Sequence, residues 1–145
     1  MKKNKQVSIY QAAHGAPVNV PAFLSGIQAG FPSPADDYIE KQLDLNELVV
    51  RNQPATFYVR VEGESMCDAG IHTGDILVVD RSITPTSGKI VIAIMNGEFT
   101  VKRIEMTAKG ITLVPENNSF PTIEVSPESD FQVWGVVTYI IHKAN

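Results

Sequence analysis

From residue 55 onward, apolar and polar positions alternate with the two-residue period of β-strands. Phe57, Val59 and Val61 are each followed by a polar or amphipathic residue, which is typical of a strand with one buried face. Asn96-Gly97 separates two apolar segments and is a strong signal for a tight hairpin. Further strands are predicted at residues 75–80, 89–95, 98–106, 111–115, 122–125 and 131–141. We therefore predict a mostly β protein, built as a compact folded sheet or barrel.

The first third of the chain has a different pattern. Residues 1–35 show no consistent period, because glycine and proline interrupt every candidate helix or strand. We predict an extended N-terminal arm over residues 1–35 and a β-rich domain over residues 36–145. Two short helices are expected at the start of that domain, at Asp36–Leu43 and at Leu45–Val50, the second with Asp44 as its N-cap.

Composition excludes several classes of protein. The chain has 145 residues, a net charge of −4 and one cysteine, so neither an intrachain disulfide nor a multi-cysteine zinc site is possible. The histidines lack metal-ligand spacing, and we expect no metal and no cofactor. The basic residues are scattered rather than clustered, which disfavours direct sequence-specific DNA binding. No segment has the length and hydropathy of a signal peptide or membrane span, so a cytoplasmic protein is expected.

Ser65 is the first residue that suggests chemistry. It lies in Gly63-Glu64-Ser65-Met66, directly after a predicted strand. The glycine permits a sharp exit from the strand, and the backbone N–H groups that follow it can hold an oxyanion near the hydroxyl. Alone the signal is weak, since a turn serine bonded to its own backbone is far more common.

Lys102 is the second such residue. In a strand it shares one face with Thr100 and Ile104. A strand lysine is usually a solvated edge residue, but burial without a carboxylate partner lowers the pKa of an amine enough for it to act as a base. Lysine responds to such burial whereas arginine does not.

A thiol mechanism competes with this pair. Cys67 lies five residues before His72, and thiolate–imidazole chemistry suits a cysteine hydrolase. No further orienting group is evident, however, and a lone cysteine is more often a small buried apolar residue.

Taken together, the motifs resemble the LexA/UmuD family of self-cleaving serine–lysine peptidases, most closely its UmuD-like members. The resemblance runs from about Phe23 to Trp134–Val137 and is poor over the first twenty residues. The matching segments are 29–38, 44–46, 61–66, 70–80, 88–91 and 97–103.

The resemblance implies roles for individual residues. Ser65 matches the nucleophile, Lys102 the general base and Ala29-Gly30 the dipeptide that is cut. The backbone N–H groups of Glu64 and Ser65 match the oxyanion donors. UmuD proper has cysteine before the cut bond, whereas this chain has alanine, as LexA does. The implied fold is that of the LexA C-terminal domain.

The resemblance also implies a function in the SOS response to DNA damage. There, a RecA filament on single-stranded DNA stimulates the self-cleavage. The shortened protein, as a homodimer, joins a UmuC-like Y-family polymerase in translesion synthesis, with the sliding clamp as a further candidate partner. Two alternatives remain open: a non-catalytic β-rich accessory subunit of the polymerase, and a fragment of a LexA-type repressor without its DNA-binding domain.

Overall fold

A computed structural model of the protein describes residues 8–13, 15–23, 29 and 40–145. Short 3₁₀ turns occur at Gln53–Ala55 and Cys67–Ala69. The strands and the one α-helix of this part of the chain are β1 (Ser8–Gln11), β2 (Asn19–Phe23), β3 (Glu40–Asp44), α1 (Leu45–Val49), β4 (Thr56–Arg60), β5 (Ile76–Asp80), β6 (Ile90–Met95), β7 (Glu98–Thr107), β8 (Gly110–Val114), β9 (Ile123–Val125) and β10 (Phe131–Ile141).

Eight of the strands form one antiparallel sheet in the order β1-β4-β5-β10-β6-β7-β8-β9. Within the described residues no pairing joins β1 to β9, so the sheet is folded and open rather than a closed barrel. The mostly β class is confirmed, and every strand predicted after residue 55 is present within two residues of its predicted bounds.

The sheet has apolar residues on both faces. In β6, Ile92 packs into one buried cluster, while Val91 and Ala93 pack into a second one. Since successive side chains of a strand point to opposite faces, β6 must separate the two clusters. The first cluster contains Val59, Val61, Met66, Ile71, Leu77, Val79 and Ile92; the second contains Val91, Ala93, Ile104, Leu113 and Val136.

The turn between β6 and β7 is the predicted tight hairpin. Asn96 and Gly97 have φ angles of 50° and 82°, and a two-residue hairpin of type I′ requires positive φ at both positions. This hairpin fixes the register of β7, and with it the strand face on which Lys102 lies.

The N-terminal third differs from the prediction at one helix. A helix over Asp36–Leu43 is wrong, because residues 40–43 belong to β3 and pair with β2 in a separate two-stranded sheet. Local propensity did not decide this segment, since its partner strand lies some twenty residues away in the sequence. Residues 36–39 and the predicted domain boundary at 35–36 lie outside the described residues.

Two other features of this region can be compared with the prediction. The second helix is confirmed as α1, and Asp44 Oδ1 accepts a hydrogen bond from the Asn46 N–H at 3.1 Å as its N-cap. The first described segment of the arm is itself a strand, β1, which pairs with β4 at the edge of the large sheet. No helix among the described residues is long and apolar enough to cross a membrane.

Candidate active site

Ser65 lies in the loop that follows β4. We call residues 63–70 the serine loop. The loop begins at Gly63, whose φ of 103° is a conformation that favours glycine, and it ends with Gly70 in the left-handed region. Met66, 2% exposed, anchors the loop in the first apolar cluster. Ser65 is half-buried beside this anchor.

Thr73 holds the start of the serine loop. The Gly63 N–H donates to Thr73 Oγ1 at 3.0 Å, and the same hydroxyl donates to the Gly63 carbonyl at 3.2 Å. Both backbone groups of Gly63 are therefore satisfied by one side chain. Sequence reasoning missed Thr73, because threonine ten residues after a turn glycine carries no local signal.

Lys102 reaches Ser65 from β7, which β5, β10 and β6 separate from β4 in the order of the sheet. It lies on β7 directly opposite Val91 of β6 and is 7% exposed. Its Nζ is 3.0 Å from Ser65 Oγ. The structure thus brings together two side chains that are 37 positions apart in the sequence.

Two further oxygens surround the amine of Lys102. Nζ is 2.8 Å from Thr100 Oγ1 and 3.1 Å from the Val101 carbonyl oxygen. In the described part of the chain no carboxylate lies within ion-pair distance of Nζ. Burial lowers the pKa of Lys102, since desolvation disfavours the charged ammonium.

This arrangement suits a neutral amine. Such an amine has two N–H donors and one lone pair, and Thr100 Oγ1 and the Val101 carbonyl are two acceptors for the N–H groups. In the protonated form Nζ donates to Ser65 Oγ as well, whereas in the neutral form the lone pair can face the Ser65 hydroxyl, which then donates to it. An uncharged amine in this position can take the proton of the hydroxyl and make its oxygen nucleophilic. Thr100 was recognised from the sequence only as sharing the lysine's face.

Two depressions border Ser65. A cavity of about 140 Å³ is lined mostly by apolar side chains, among them Val61, Ile71 and Phe99. A more open depression reaches Lys102 and Phe120. Of the predicted cleavage dipeptide, Ala29 is exposed and Gly30 lies outside the described residues.

The thiol alternative lacks support in the structure. The Cys67 thiol contacts Asp68 Oδ1 at 3.7 Å. Desolvation and the neighbouring Asp68 raise the pKa of Cys67, which disfavours the reactive thiolate. His72 instead lies against Glu64, with His72 Nδ1 3.6 Å from Glu64 Oε2.

A histidine cluster next to the serine loop was not predicted. The rings of His72 and His142 are 5.5 Å apart, and Asp75, 3% exposed, contacts His142 Nδ1 at 2.6 Å. Burial alone would raise the pKa of Asp75, but hydrogen bonds from the His72 N–H and from His142 outweigh it and the pKa is lowered. Within the described residues no three acidic, histidine or cysteine side chains are placed to hold a metal.

Known proteins resemble this chain over most of its length. The family model described as Peptidase S24-like matches residues 21–138. Protein SamA of Salmonella typhimurium (strain LT2) is 50% identical over 123 residues, which cover 85% of each chain. Protein MucA of Escherichia coli is 43% identical over 92% of each chain. A LexA repressor of Delftia acidovorans is 35% identical over 89% of this chain and 57% of its own.

Proposed function

The chain belongs to the Peptidase S24-like family as a UmuD-like relative of LexA, and on that premise we propose that it cuts its own backbone between Ala29 and Gly30. Ser65 is the nucleophile and Lys102 the general base. The observation that carries this proposal is the 3.0 Å contact between Lys102 Nζ and Ser65 Oγ, with the amine buried and free of carboxylates within the described residues.

The proposed reaction has two halves. Neutral Lys102 takes the Ser65 proton as Oγ attacks the Ala29 carbonyl carbon, and the ammonium then gives that proton to the Gly30 nitrogen as the peptide bond breaks. The resulting Ala29 ester is hydrolysed by a water that Lys102 deprotonates, which releases a carboxylate at Ala29 and regenerates the Ser65 hydroxyl. No metal or cofactor takes part in either half.

The negative oxygen of each tetrahedral intermediate requires donors. We assign the backbone N–H groups of Glu64 and Ser65 to this role. Within the described residues, neither N–H donates a hydrogen bond to another protein group, so both are available to a substrate. Preorganised donors of this kind are often the largest single contribution to such a rate.

The place of the cut bond in the chain supports self-cleavage. Ala29 and Gly30 fall in the connection between β2 and β3, residues 24–39, whose two ends are joined by the β2–β3 pairing. A substrate carried by the same polypeptide reacts at a high effective concentration without separate binding affinity. The low rate that regulation demands must then come from the protonation of Lys102 or from docking of this connection.

We infer that the cut is regulated in the SOS response. A RecA filament on single-stranded DNA favours the conformer in which the β2–β3 connection is docked at Ser65 and water is excluded from the site. The filament supplies no catalytic group. The shortened chain, residues 30–145, acts as a homodimer with a UmuC-like Y-family polymerase in SOS mutagenesis. The 43–50% identity to SamA and MucA over most of the chain supports this assignment.

Mass spectrometry of the purified full chain tests the proposal. After incubation with RecA, single-stranded DNA and ATP, the expected product begins at Gly30, and Ser65→Ala yields none under the same conditions. A product with a different N-terminus contradicts the assigned bond. An intact chain under all conditions contradicts the peptidase and favours the non-catalytic accessory subunit.

A further inference from the structure

Asn117 lies beside the serine loop and is not explained by the serine–lysine pair. It belongs to the connection between β8 and β9. Its Nδ2 donates to the Glu64 carbonyl oxygen at 2.7 Å, across 53 positions of sequence. Its Oδ1 accepts from the Ser119 N–H at 2.9 Å. The second contact fixes which end of the amide faces Glu64, because an N–H donor can meet only the amide oxygen.

The Glu64 carbonyl belongs to the same peptide group as the Ser65 N–H. A trans peptide is planar, with its C=O and N–H directed oppositely, and no cis peptide occurs in the described part of the chain. Fixing the Glu64 carbonyl therefore also fixes the direction of the Ser65 N–H. The Cys67 N–H donates to the same carbonyl oxygen at 3.2 Å. Asn117 and Cys67 therefore both hold the Glu64 carbonyl, at the end of the peptide group opposite the Ser65 N–H.

Neighbouring contacts hold Asn117 against the loop. The Asp68 N–H donates to the Glu116 carbonyl at 2.8 Å, and the Glu116 N–H lies 3.4 Å from Met66 Sδ. The Glu116 carboxylate pairs with Arg103, which follows Lys102 on β7. The segment that carries Asn117 therefore contacts the serine loop at Glu64, Met66 and Asp68, and it contacts β7 through Arg103.

We propose that Asn117 is a positioning residue, which aims the Ser65 N–H at the oxyanion by holding the Glu64 carbonyl. The inference rests on the proposed self-cleavage. It predicts a role in stabilising the intermediate, and none in the basicity of Lys102.

Spontaneous cleavage of the full chain across pH tests this role. The cleavage rate should rise with pH as Lys102 loses its proton, pass through a midpoint and level off at a plateau. Asn117→Ala is expected to lower the plateau rate at alkaline pH by about 10-fold. This loss is smaller than the ~10²–10³-fold typical of deleting an oxyanion donor, because the N–H is misdirected and not removed. The pH midpoint of the rate should remain that of the unmodified chain, since Lys102 keeps its surroundings.

Asn118→Ala is the matched control, because Asn118 is exposed and makes no side-chain hydrogen bond among the described residues. It should cleave within about twofold of the unmodified chain. If Asn117→Ala does not fold, as judged by circular dichroism, Asn117→Asp compared with Asn118→Asp measures the same plateau with matched charge. Aspartate keeps the acceptor for the Ser119 N–H and replaces the donor with a charged oxygen, and Asn118→Asp controls for the added charge.

Each outcome separates the two claims. An unmodified chain that never cleaves overturns the proposed function. Normal cleavage by Asn117→Ala, or by Asn117→Asp where Asn117→Ala does not fold, overturns only the role of Asn117. A lowered plateau with a displaced midpoint in Asn117→Ala also overturns it, since the residue would then act through the amine.

Discussion

The two sides of Ser65 are built on different physical principles. On the amine side, Lys102 is held by Thr100 Oγ1 and the Val101 carbonyl, and desolvation lowers its pKa. On the amide side, Thr73 and Asn117 hold backbone groups of Gly63 and Glu64. The amine side changes charge between neutral and alkaline pH, whereas the amide side holds backbone groups. Thr73 also contacts the Glu64 carboxyl, but this contact lowers the pKa of Glu64, so the carboxylate stays ionised in that pH range. A change on either side should therefore have a different effect on the pH profile of cleavage.

Removing the amine should have the largest effect. Lys102→Met is expected to abolish spontaneous cleavage, a fall of about 10⁴-fold or more, while the fold persists because methionine fills a similar apolar volume. Lys109→Met, at an exposed turn lysine, should cleave normally. The rates are measured by quantitative electrophoresis over days at alkaline pH. Cutting at Gly30 in Lys102→Met at a rate well above this lowered value would disprove the base assignment.

The pH profile should show the next largest effect. Because only neutral Lys102 acts as a base, the rate should rise about tenfold per pH unit and level off above the lowered pKa of this group. A rate that stays flat between neutral and strongly alkaline pH, with the fold intact by circular dichroism, contradicts the account.

The same pKa shift has a consequence for folding. A lysine whose folded pKa is depressed binds fewer protons in the native state than in the unfolded state. Its contribution to the free energy of unfolding therefore rises with pH, between the lowered pKa and the ordinary value. Lys102→Met should lose this part of the pH dependence in denaturant titrations, and Lys109→Met should keep it.

Thr100→Val sharpens the comparison on the amine side. It removes one acceptor from Nζ, which should lower the plateau rate about 5- to 10-fold. It should also move the midpoint to lower pH, since the ammonium form loses a hydrogen bond. Thr112→Val, at a half-buried threonine of β8 without a side-chain hydrogen bond among the described residues, is the control. A midpoint that moves upward would contradict the assigned contact.

Thr73→Val makes the corresponding change on the amide side. Losing both hydrogen bonds to Gly63 should lower the plateau about threefold, because Met66 and Asn117 still hold the loop. The midpoint should not move. Thr122→Val, at an exposed loop position, should match the unmodified chain; a midpoint shift in Thr73→Val would mean that the two sides are not independent.

Cys67→Ala should have the smallest effect. The thiol contacts Asp68 and not the amine, so cleavage is expected to stay within about twofold of the unmodified chain. Mass spectrometry at the plateau pH is sufficient for this measurement. Loss of the Gly30 product would restore the thiol mechanism.

Local sequence predicted most of the β domain. Alternation and turn residues placed the strands from β4 to β10, since these signals arise within a few residues of each other. They failed at residues 40–43, where pairing with β2 outweighed a weak helical pattern. They also missed β1, because an isolated four-residue strand gains its stability only from its partner β4.

By itself, the sequence determined which groups are available for chemistry: a serine after a turn glycine, a lysine on an apolar strand face and a small dipeptide between glycine- and proline-rich segments. Only the tertiary structure decided that Lys102 is buried with its Nζ 3.0 Å from Ser65 Oγ. It also decided that Thr100 contacts this amine and that Thr73 and Asn117 hold the backbone of the serine loop. Burial and hydrogen-bond geometry depend on residues from distant strands, and no local pattern contains that information.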